Sequence, residues 1–472
     1  MNKNLITAFS LFLLAACGGG GGDPAPAAPP ANPTVNPPNA GGSGIAEVPH
    51  AFALPGGGTA PSVVLAQEVV VMLAPGASIT ELASGYNATV LDRFGKRPIH
   101  RLRLAPGVSL TDTLSRLRGD TRVRFAEPNA VNSSPEKKDQ VVWVLGGDEL
   151  GFSGQWAPSS LALAPAQALS TGAGIRVAVL DTGIDAAHPA FAGRLARTAG
   201  GALLGRDFVD GDDDPAEAGT VTDAGWGHGT HVASVIALAA PGAPIIPVRV
   251  LDAAGRGNVW VLAEALLWAI DPDGDPRTDD GARVINISLG TTAPTQLLDM
   301  AIELASCNDD DDDDEQIDRS DPGFDDDRLR CSLRPGAVVM AAAGNSGSGT
   351  ELVYPAAEAV EGQLAITATD SAGLLAGFAN RGSWVQLAAP GDRIIGAVPG
   401  GGYATWSGTS MATPWASAVS ALVLARNPDW KPVDVSKRLL DRSVLLCGGG
   451  SLRGLHAHGS VADFVPPDPS CP

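Results

Sequence analysis

Basic side chains are scarce in this chain: 32 Lys and Arg stand against 52 Asp and Glu, a formal net charge of −20 over 472 residues. Neutralising a phosphate backbone takes clusters of Lys and Arg, so nucleic acid is excluded as a partner class. Cysteine is sparse too, with five in all. The N-terminal apolar stretch, Leu5 to Leu14, is only ten residues long, too short to cross a bilayer comfortably. What the chain does have is a 44% hydrophobic content and the length for two or three domains of ordinary size. Much of the acidity is local. Residues 307–331 hold twelve acidic and three basic side chains, a net of −9, which leaves −11 of the −20 for the remainder.

Lys3 precedes the apolar stretch, and small residues follow it in "LAAC". This is the layout of an export signal. "LAAC" resembles a bacterial lipobox, which implies a signal peptide over 1–16 and a lipid on the sulfur of Cys17, holding the chain to a membrane. Gly18 rather than Asp follows, and by the same resemblance the address is the outer membrane. In an exported chain the other four cysteines suggest two disulfides. Three pairings exist; the local one, Cys307–Cys331 with Cys447–Cys471, is expected, because the first would staple the acidic insertion 307–331 at its base. Residues 17–60 read as a tether rich in Pro, Gly and Ala. Its part 18–44 carries one charge and seven prolines and cannot pack a core.

Residues 61–132 form a small α+β domain. "EVVVML", "TVLDRF", "IHRLRL" and "VRFAEPN" read as strands. Ser78 with Glu81, and Ser109 with Asp112, are spaced as helix caps between them. The order is β-α-β-β-α-β, a split βαβ unit of ferredoxin-like type. "NSSPEKKDQV", 132–141, reads as an exposed, cleavable joint. Over 145–472 continuous apolar strands such as "IRVAVLD" alternate with helices such as "THVASVIALAA". That alternation indicates a parallel α/β sheet covered on both faces, with any site at the carboxyl ends of its strands.

Three motifs lie at such positions. Asp181 ends a strand in "VAVLDTGID", His228 opens a helix in "GHGTHVA", and Ser410 opens another in "GTSMATP", at separations of 47 and 182 residues. A serine hydroxyl attacks only when a base takes its proton, and a carboxylate beside that base fixes its tautomer. This set resembles the subtilisin-like serine proteases (subtilases) over about 150–445. The resemblance implies a parallel-sheet subtilisin-like domain, peptide-bond hydrolysis through an acyl-enzyme, and no cofactor for the chemistry. It implies Asp181, His228 and Ser410 as the triad and Asn345, in "AAAGNSG", as an oxyanion donor. Gly255 and Gly257, with Ser288, Leu289 and Gly290, match the two edges that pair with an extended peptide. Ala342 and Gly344 match the wall of the pocket before the scissile bond, and Val353 its floor, so small or medium side chains are expected there. His231, on the His228 helix, and His188 are expected to be structural. Asp185 is expected to orient its loop.

The small domain, just ahead of the peptidase domain, resembles a subtilase propeptide. Its "FAEPN" end is expected in the cleft, it serves as the protein's own inhibitor, and self-cleavage is expected within 129–145. Subtilases often bind structural calcium. The family's ligand after "HP" is Asp but Ala190 stands here, so that site is not expected. Asp271, Asp273 and Asp275 in "DPDGDP" offer alternate carboxylates for Ca2+ instead. The tail from 446, including His456 and His458, reads as an exposed loop. The partners implied are peptide substrates, the propeptide and a membrane, for a monomer. Two other readings remain: a permanently inhibited surface-binding module, and an α/β esterase. The esterase would need G-x-S-x-G with the serine ahead of its acid and histidine, and the order here is reversed.

Overall fold

The computed structural model describes residues 46–54, 58–136, 143–308 and 322–468. The expected signal peptide, Cys17, most of the tether, the centre of the acidic insertion and Cys471 lie outside the described residues. Strand β1 (Glu47–Ala53) comes first, although it reads in sequence as part of the tether. It pairs antiparallel with the start of β2 (Thr59–Leu73), from Glu47 opposite Leu65 to Ala53 opposite Thr59. The split βαβ unit follows: α1 (Ile79–Gly85), β3 (Ala88–Arg93), β4 (Ile99–Leu104), α2 (Leu110–Arg118) and β5 (Val123–Ser133). The hydroxyls of Ser78 and Ser109 accept from the amides of Glu81 and Asp112, satisfying helix N–H groups that have no partner within the helix. The sheet runs β5-β2-β4-β3 and is antiparallel.

Beyond the joint come β6 (Trp143–Leu145) and three short helices, α3 (Glu149–Ser153), α4 (Trp156–Ser160) and α5 (Leu163–Gln167). The second domain's strands are then β7 (Val177–Asp181), β8 (Arg206–Asp207), β9 (Ile245–Arg249), β10 (Arg256–Asn258), β11 (Val284–Ile287), β12 (Val338–Ala342), β13 (Gln363–Thr369), β14 (Leu387–Pro390), β15 (Ile394–Val398), β16 (Gly402–Trp406), β17 (Val444–Leu445) and β18 (Arg453–Gly454). Nine form one sheet, ordered β17-β18-β14-β13-β12-β11-β7-β9-β8, parallel except for β17 against β18. The chain runs from β7 to β9 on one side and later to β11 on the other. The carboxyl end of β7 is therefore a switch point, where such sheets open a crevice.

Side chains alternate across this sheet with period two. Ala178, Leu180, Ile285, Ile287, Val339 and Ala341 face α7 (Val259–Ile270), α8 (Gln296–Ser306) and the small domain in one core. Val177, Val179, Val284, Val338 and Met340 face α6 (His228–Ala239) and α10 (Thr409–Leu424) in the other. Burial on both faces is why these strands read as unbroken apolar runs.

The small domain docks on the amino ends of α7 and α8. Phe94 meets Trp260 edge-on, with ring centroids 5.9 Å apart. The Glu127 carboxylate accepts from the amides of Gln296 (2.9 Å) and Leu297 (3.1 Å), and Asn129 Oδ1 accepts from Trp260 N (3.2 Å). The "FAEPN" segment thus caps two helices instead of lying in the cleft. Helix α9 (Pro322–Leu333), in the acidic insertion, is tied by the disulfide Cys307–Cys331. Its Asp326 and Asp327 pair with Lys96 and Arg97 at the β3–β4 turn.

The tail is not an exposed loop. β18 joins the sheet beside β14. Past α11 (Pro432–Asp441), helix α12 (Ala457–Ala462) buries Ala457 and Val461. His456 caps α12 through Nδ1, which accepts from Gly459 N at 2.9 Å.

Burial pushes the Glu127 carboxyl from 4.5 up to about 7, and the two amides it accepts from only partly oppose this. The folded state therefore binds this proton more tightly than the unfolded chain. Its contribution is complete below pH 4.5 and is lost as pH rises through 7. Thermal melts of the full-length chain should give a Tm that falls over this window. Glu127→Gln should flatten the fall; an unchanged slope would contradict this assignment.

Candidate active site

Strand β7 carries Asp181 to the switch point, and α6 starts at His228 beside it. His228 Nδ1 and Asp181 Oδ1 lie 2.7 Å apart, with both side chains 1% exposed. Thr182 N donates to the same Oδ1 at 2.7 Å, and Gly229 N donates to Thr182 Oγ1 at 2.9 Å. The strand end and helix start touch so closely that a Cβ on Gly229 would collide with the carbonyl of Gly183. Glu217, which the sequence did not single out, accepts from the hydroxyls of Thr182 and Thr230 and ties the strand to the helix. Burial, followed by the charge of Asp181, helps push Glu217 up to about 7 against those hydrogen bonds.

Ser410 lies in the first turn of α10. Its hydroxyl donates to Ser288 O at 3.0 Å, and Ser288 Oγ donates back to Ser410 O at 3.1 Å. Asn345 follows the end of β12. Its Oδ1 accepts from Thr409 N (2.9 Å) and Thr409 Oγ1 (3.0 Å), which turns Nδ2 toward Ser410. Asn345 Nδ2 and Ser410 N then aim at one atom, Oε1 of Glu136, at 3.0 and 3.4 Å. The other oxygen of that carboxylate is 3.0 Å from His228 Nε2. Asp181, His228, Asn345 and Ser410 thus surround a fifth group that sequence reasoning missed. Glu136 lies in the segment read as an exposed joint, yet its side chain is 2% exposed. A Cβ on Gly408 would collide with its carboxylate. Burial alone would lower the His228 pKa, but the Asp181 and Glu136 carboxylates outweigh it and hold the imidazole well above its ordinary value.

The expected edges flank residues 131–134. Gly257 pairs with Asn132 in the β5–β10 ladder. Ser133 and Gly290 exchange both backbone hydrogen bonds at 2.9 Å, and Ser134 N donates to Gly255 O at 3.1 Å. Leu289, like Ser288, is buried between the edge and the core. Ala342 is buried at the end of β12. Gly344 has φ +99°, a conformation open to glycine, and Cβ atoms added at Gly344 or Gly290 would strike the methyls of Val353. Val353 therefore packs its two methyls against Gly290 and Gly344.

His231 is a packed residue: it stacks on Trp406 with centroids 4.6 Å apart, and burial lowers its pKa to about 3. His188 Nε2 meets Gly402 O at 2.9 Å, and its Nδ1 accepts from Ala190 N. Asp185 accepts from the amides of Ala187 and Gly400.

The carboxylates that converge in the aspartate loop are those of Asp271, Asp273 and Asp280, within 4.8 Å of one another. The expected Asp275 is not among them. It accepts from Arg277 N instead, because the turn at Gly274 (φ +72°) sends the chain back and returns Asp280 to Asp273 N at 3.1 Å. Asp271 Oδ1 and Asp280 Oδ1 are buried without hydrogen-bond partners. Burial and the two neighbouring carboxylates raise Asp271 to about 6. Free donor oxygens and mutual repulsion fit a divalent cation.

Residues 172–457 match the subtilase family model, and residues 65–129 match the fervidolysin N-terminal prodomain. The chain is 34% identical to subtilisin Savinase of Lederbergia lenta over 293 residues, 60% of this chain and 88% of that protein. It is 35% identical to M-protease of Shouchella clausii over 278 residues, 57% of this chain and 59% of that one, so it spans less than two thirds of that relative. The crystal structure of fervidolysin from Fervidobacterium pennivorans, a keratinolytic enzyme related to subtilisin, shares the fold. Its TM-score is 0.63 at 22% identity, over 85% of this chain and 62% of that one. With the family model matching more than half of its length, this chain belongs to the subtilase family of serine-type endopeptidases and carries a fervidolysin-like prodomain ahead of the peptidase domain.

Proposed function

We propose that the protein hydrolyses peptide bonds with Ser410 as nucleophile and is made as a zymogen that processes itself. The carrying observation is the convergence of Asn345 Nδ2, Ser410 N and His228 Nε2 on one carboxylate beside the Ser410 hydroxyl. Two amide donors and a base around a serine suit a tetrahedral oxyanion. Ser410 Oγ attacks the carbonyl carbon while His228 Nε2 takes its proton. Asp181 holds the imidazole through Nδ1 and offsets its charge. Asn345 and the Ser410 amide hold the oxyanion. His228 then gives the proton to the departing amine, leaving an acyl-enzyme that a water hydrolyses by the same steps. This chemistry needs no cofactor. The substrate lies extended between the Gly255–Gly257 and Ser288–Gly290 edges, where residues 131–134 lie in the intact chain.

The proposal extends to the address. The chain is exported as a monomer, lipidated on Cys17 and held at the outer membrane, while cutting the joint frees the peptidase domain once the prodomain lets go. Fluorophosphonate labelling, gels of the membrane and soluble fractions, and comparison of wild type with Ser410→Ala test the scheme together. The wild type should label, shorten by about 120 residues or more and leave the membrane. Ser410→Ala should stay long, unlabelled and anchored. A folded wild type that neither labels nor shortens would favour the permanently inhibited binding module. Asn345→Ala should lower kcat by about 10²–10³, a magnitude that comes from subtilisin itself.

Val353 limits the recess before the scissile bond, so a peptide-library profile should favour small or medium side chains there. Val353→Gly should shift it toward larger ones. A wild-type profile led by Phe and Tyr would contradict the assignment.

Asp271, Asp273 and Asp280 would hold a structural Ca2+, with water completing its six to eight oxygens. Calcium at 100 times its Kd should stabilise the chain by about 2.7 kcal/mol, read as a rise in Tm, and Asp280→Asn should abolish the rise. An equal response in both proteins would remove calcium from this loop.

A further inference from the structure

The strand that occupies the cleft ends in two residues that make it unfit as a substrate. Ser133 faces Gly290 in an antiparallel pair. Continued by two residues, that register would set Pro135 opposite Ser288. A substrate residue there could donate its N–H to Ser288 O, but proline has none. That carbonyl takes the hydroxyl of Ser410 instead, at 3.0 Å. The nucleophile's proton therefore points at Ser288 and not at His228. Glu136 comes next. One of its oxygens takes the donors Asn345 Nδ2 and Ser410 N, and the other takes His228 Nε2. The donors that would receive the oxyanion of a reacting carbonyl are thus already bound to a side chain.

We propose that Pro135 and Glu136 form an internal inhibitor that decides which bond the protein cuts in itself. Pro135 denies the productive strand register at the nucleophile, and Glu136 fills the oxyanion site with its own carboxylate. The Pro135–Glu136 bond is spared, although the Glu136 side chain reaches Ser410 N, and processing falls on the carboxyl side of Glu136 once this carboxylate has been displaced. Specificity toward the chain itself is set by a misfit at the centre, while the strand pairing on either side is that of a well-bound peptide. This rests on the serine-endopeptidase reading above.

The test uses the full chain and reads fluorophosphonate labelling on the uncut band, together with the N-terminal sequence of the processed band. Glu136→Ala should label the uncut chain at least about tenfold faster than wild type, the scale expected for losing charge-assisted hydrogen bonds. Glu136→Gln, which keeps the shape without the charge, should fall between them. The wild-type processed band should begin after residue 136, whereas Pro135→Ala/Glu136→Ala should add a band beginning at residue 136. Melting curves of the uncut Ser410→Ala background, with and without Glu136→Ala, separate plug removal from unfolding. If Glu136→Ala labels no faster than wild type while the processed enzyme labels readily, the strand backbone alone blocks the site and the proposal fails. A wild-type band beginning at Glu136 would also overturn it. If no form labels, even after trypsin has cut the joint at Lys137 or Lys138, the endopeptidase reading itself has failed, which is a distinguishable result.

Discussion

The centre of the protein depends on how closely the end of β7 can approach the start of α6. A 2.7 Å hydrogen bond between Asp181 and His228 requires two backbones in contact, and glycine at 229 is what permits that contact. Any Cβ there would meet the carbonyl of Gly183. Thr182 and Glu217 then brace the junction through hydroxyl hydrogen bonds on either side. A parallel sheet with its switch point at β7 brings the strand end, the α6 start and the α10 start to one crevice. Chemistry assembled from residues 47 and 182 positions apart thus needs no flexible loop to hold it.

The prodomain engages the peptidase domain by one repeated device. An α-helix begins with amides that have no partner inside it and a partial positive charge. Three helices of the peptidase domain present such starts, and side-chain oxygens from the end of the prodomain meet each of them. Asn129 meets α7, Glu127 meets α8, and Glu136 meets α10. Glu127 and Asn129 are two residues apart on β5 and share a face. Glu136 reaches α10 only because β5 continues past them as an added strand along β10. Docking and blocking are therefore one continuous interaction: the face of β5 that holds the helices sets the register that delivers Glu136.

What could be read from the sequence follows from how local each signal is. The split βαβ order, the capping serines and the apolar strands depend on neighbours a few residues away, and the observed elements follow them. The motifs around Asp181, His228 and Ser410 carry glycines whose reason is steric and visible in the chain. Asp275 falls outside the converging carboxylates because alternate spacing says nothing about a reversal at Gly274, and that reversal brings Asp280 in from the far side of the loop. β1 escapes a sequence reading because its partner, Thr59–Leu65, is the first half of an unusually long β2, ahead of the "EVVVML" run that marks the strand. The tail was missed because Leu455, Ala457 and Val461 are too few to show a period until the core they enter is known. Glu136 is the clearest case. In "NSSPEKKDQV" it is one charge among several, and only the pairing of Ser133 with Gly290 gives it a destination.

That destination has an electrostatic consequence as well as a steric one. A general base must be neutral to accept a proton. Burial by itself favours neutral His228, which suits the task. Asp181 favours the imidazolium, which suits the moment after proton transfer. Glu136 adds a second carboxylate at the other ring nitrogen, and together the two hold the imidazole well above its ordinary pKa. Both ring nitrogens of His228 face carboxylate oxygens in the intact chain, so Nε2 is engaged by Glu136 and is not open to the Ser410 proton. The Ser410 hydroxyl correspondingly donates its hydrogen bond to Ser288 O. The group that fills the oxyanion site thereby also disarms the base, so a single side chain leaving the crevice frees the donors and the imidazole in one event. Asp181 remains behind to hold Nδ1–H, so the restored site needs only the loss of the Nε2 proton to solvent and the turn of one hydroxyl.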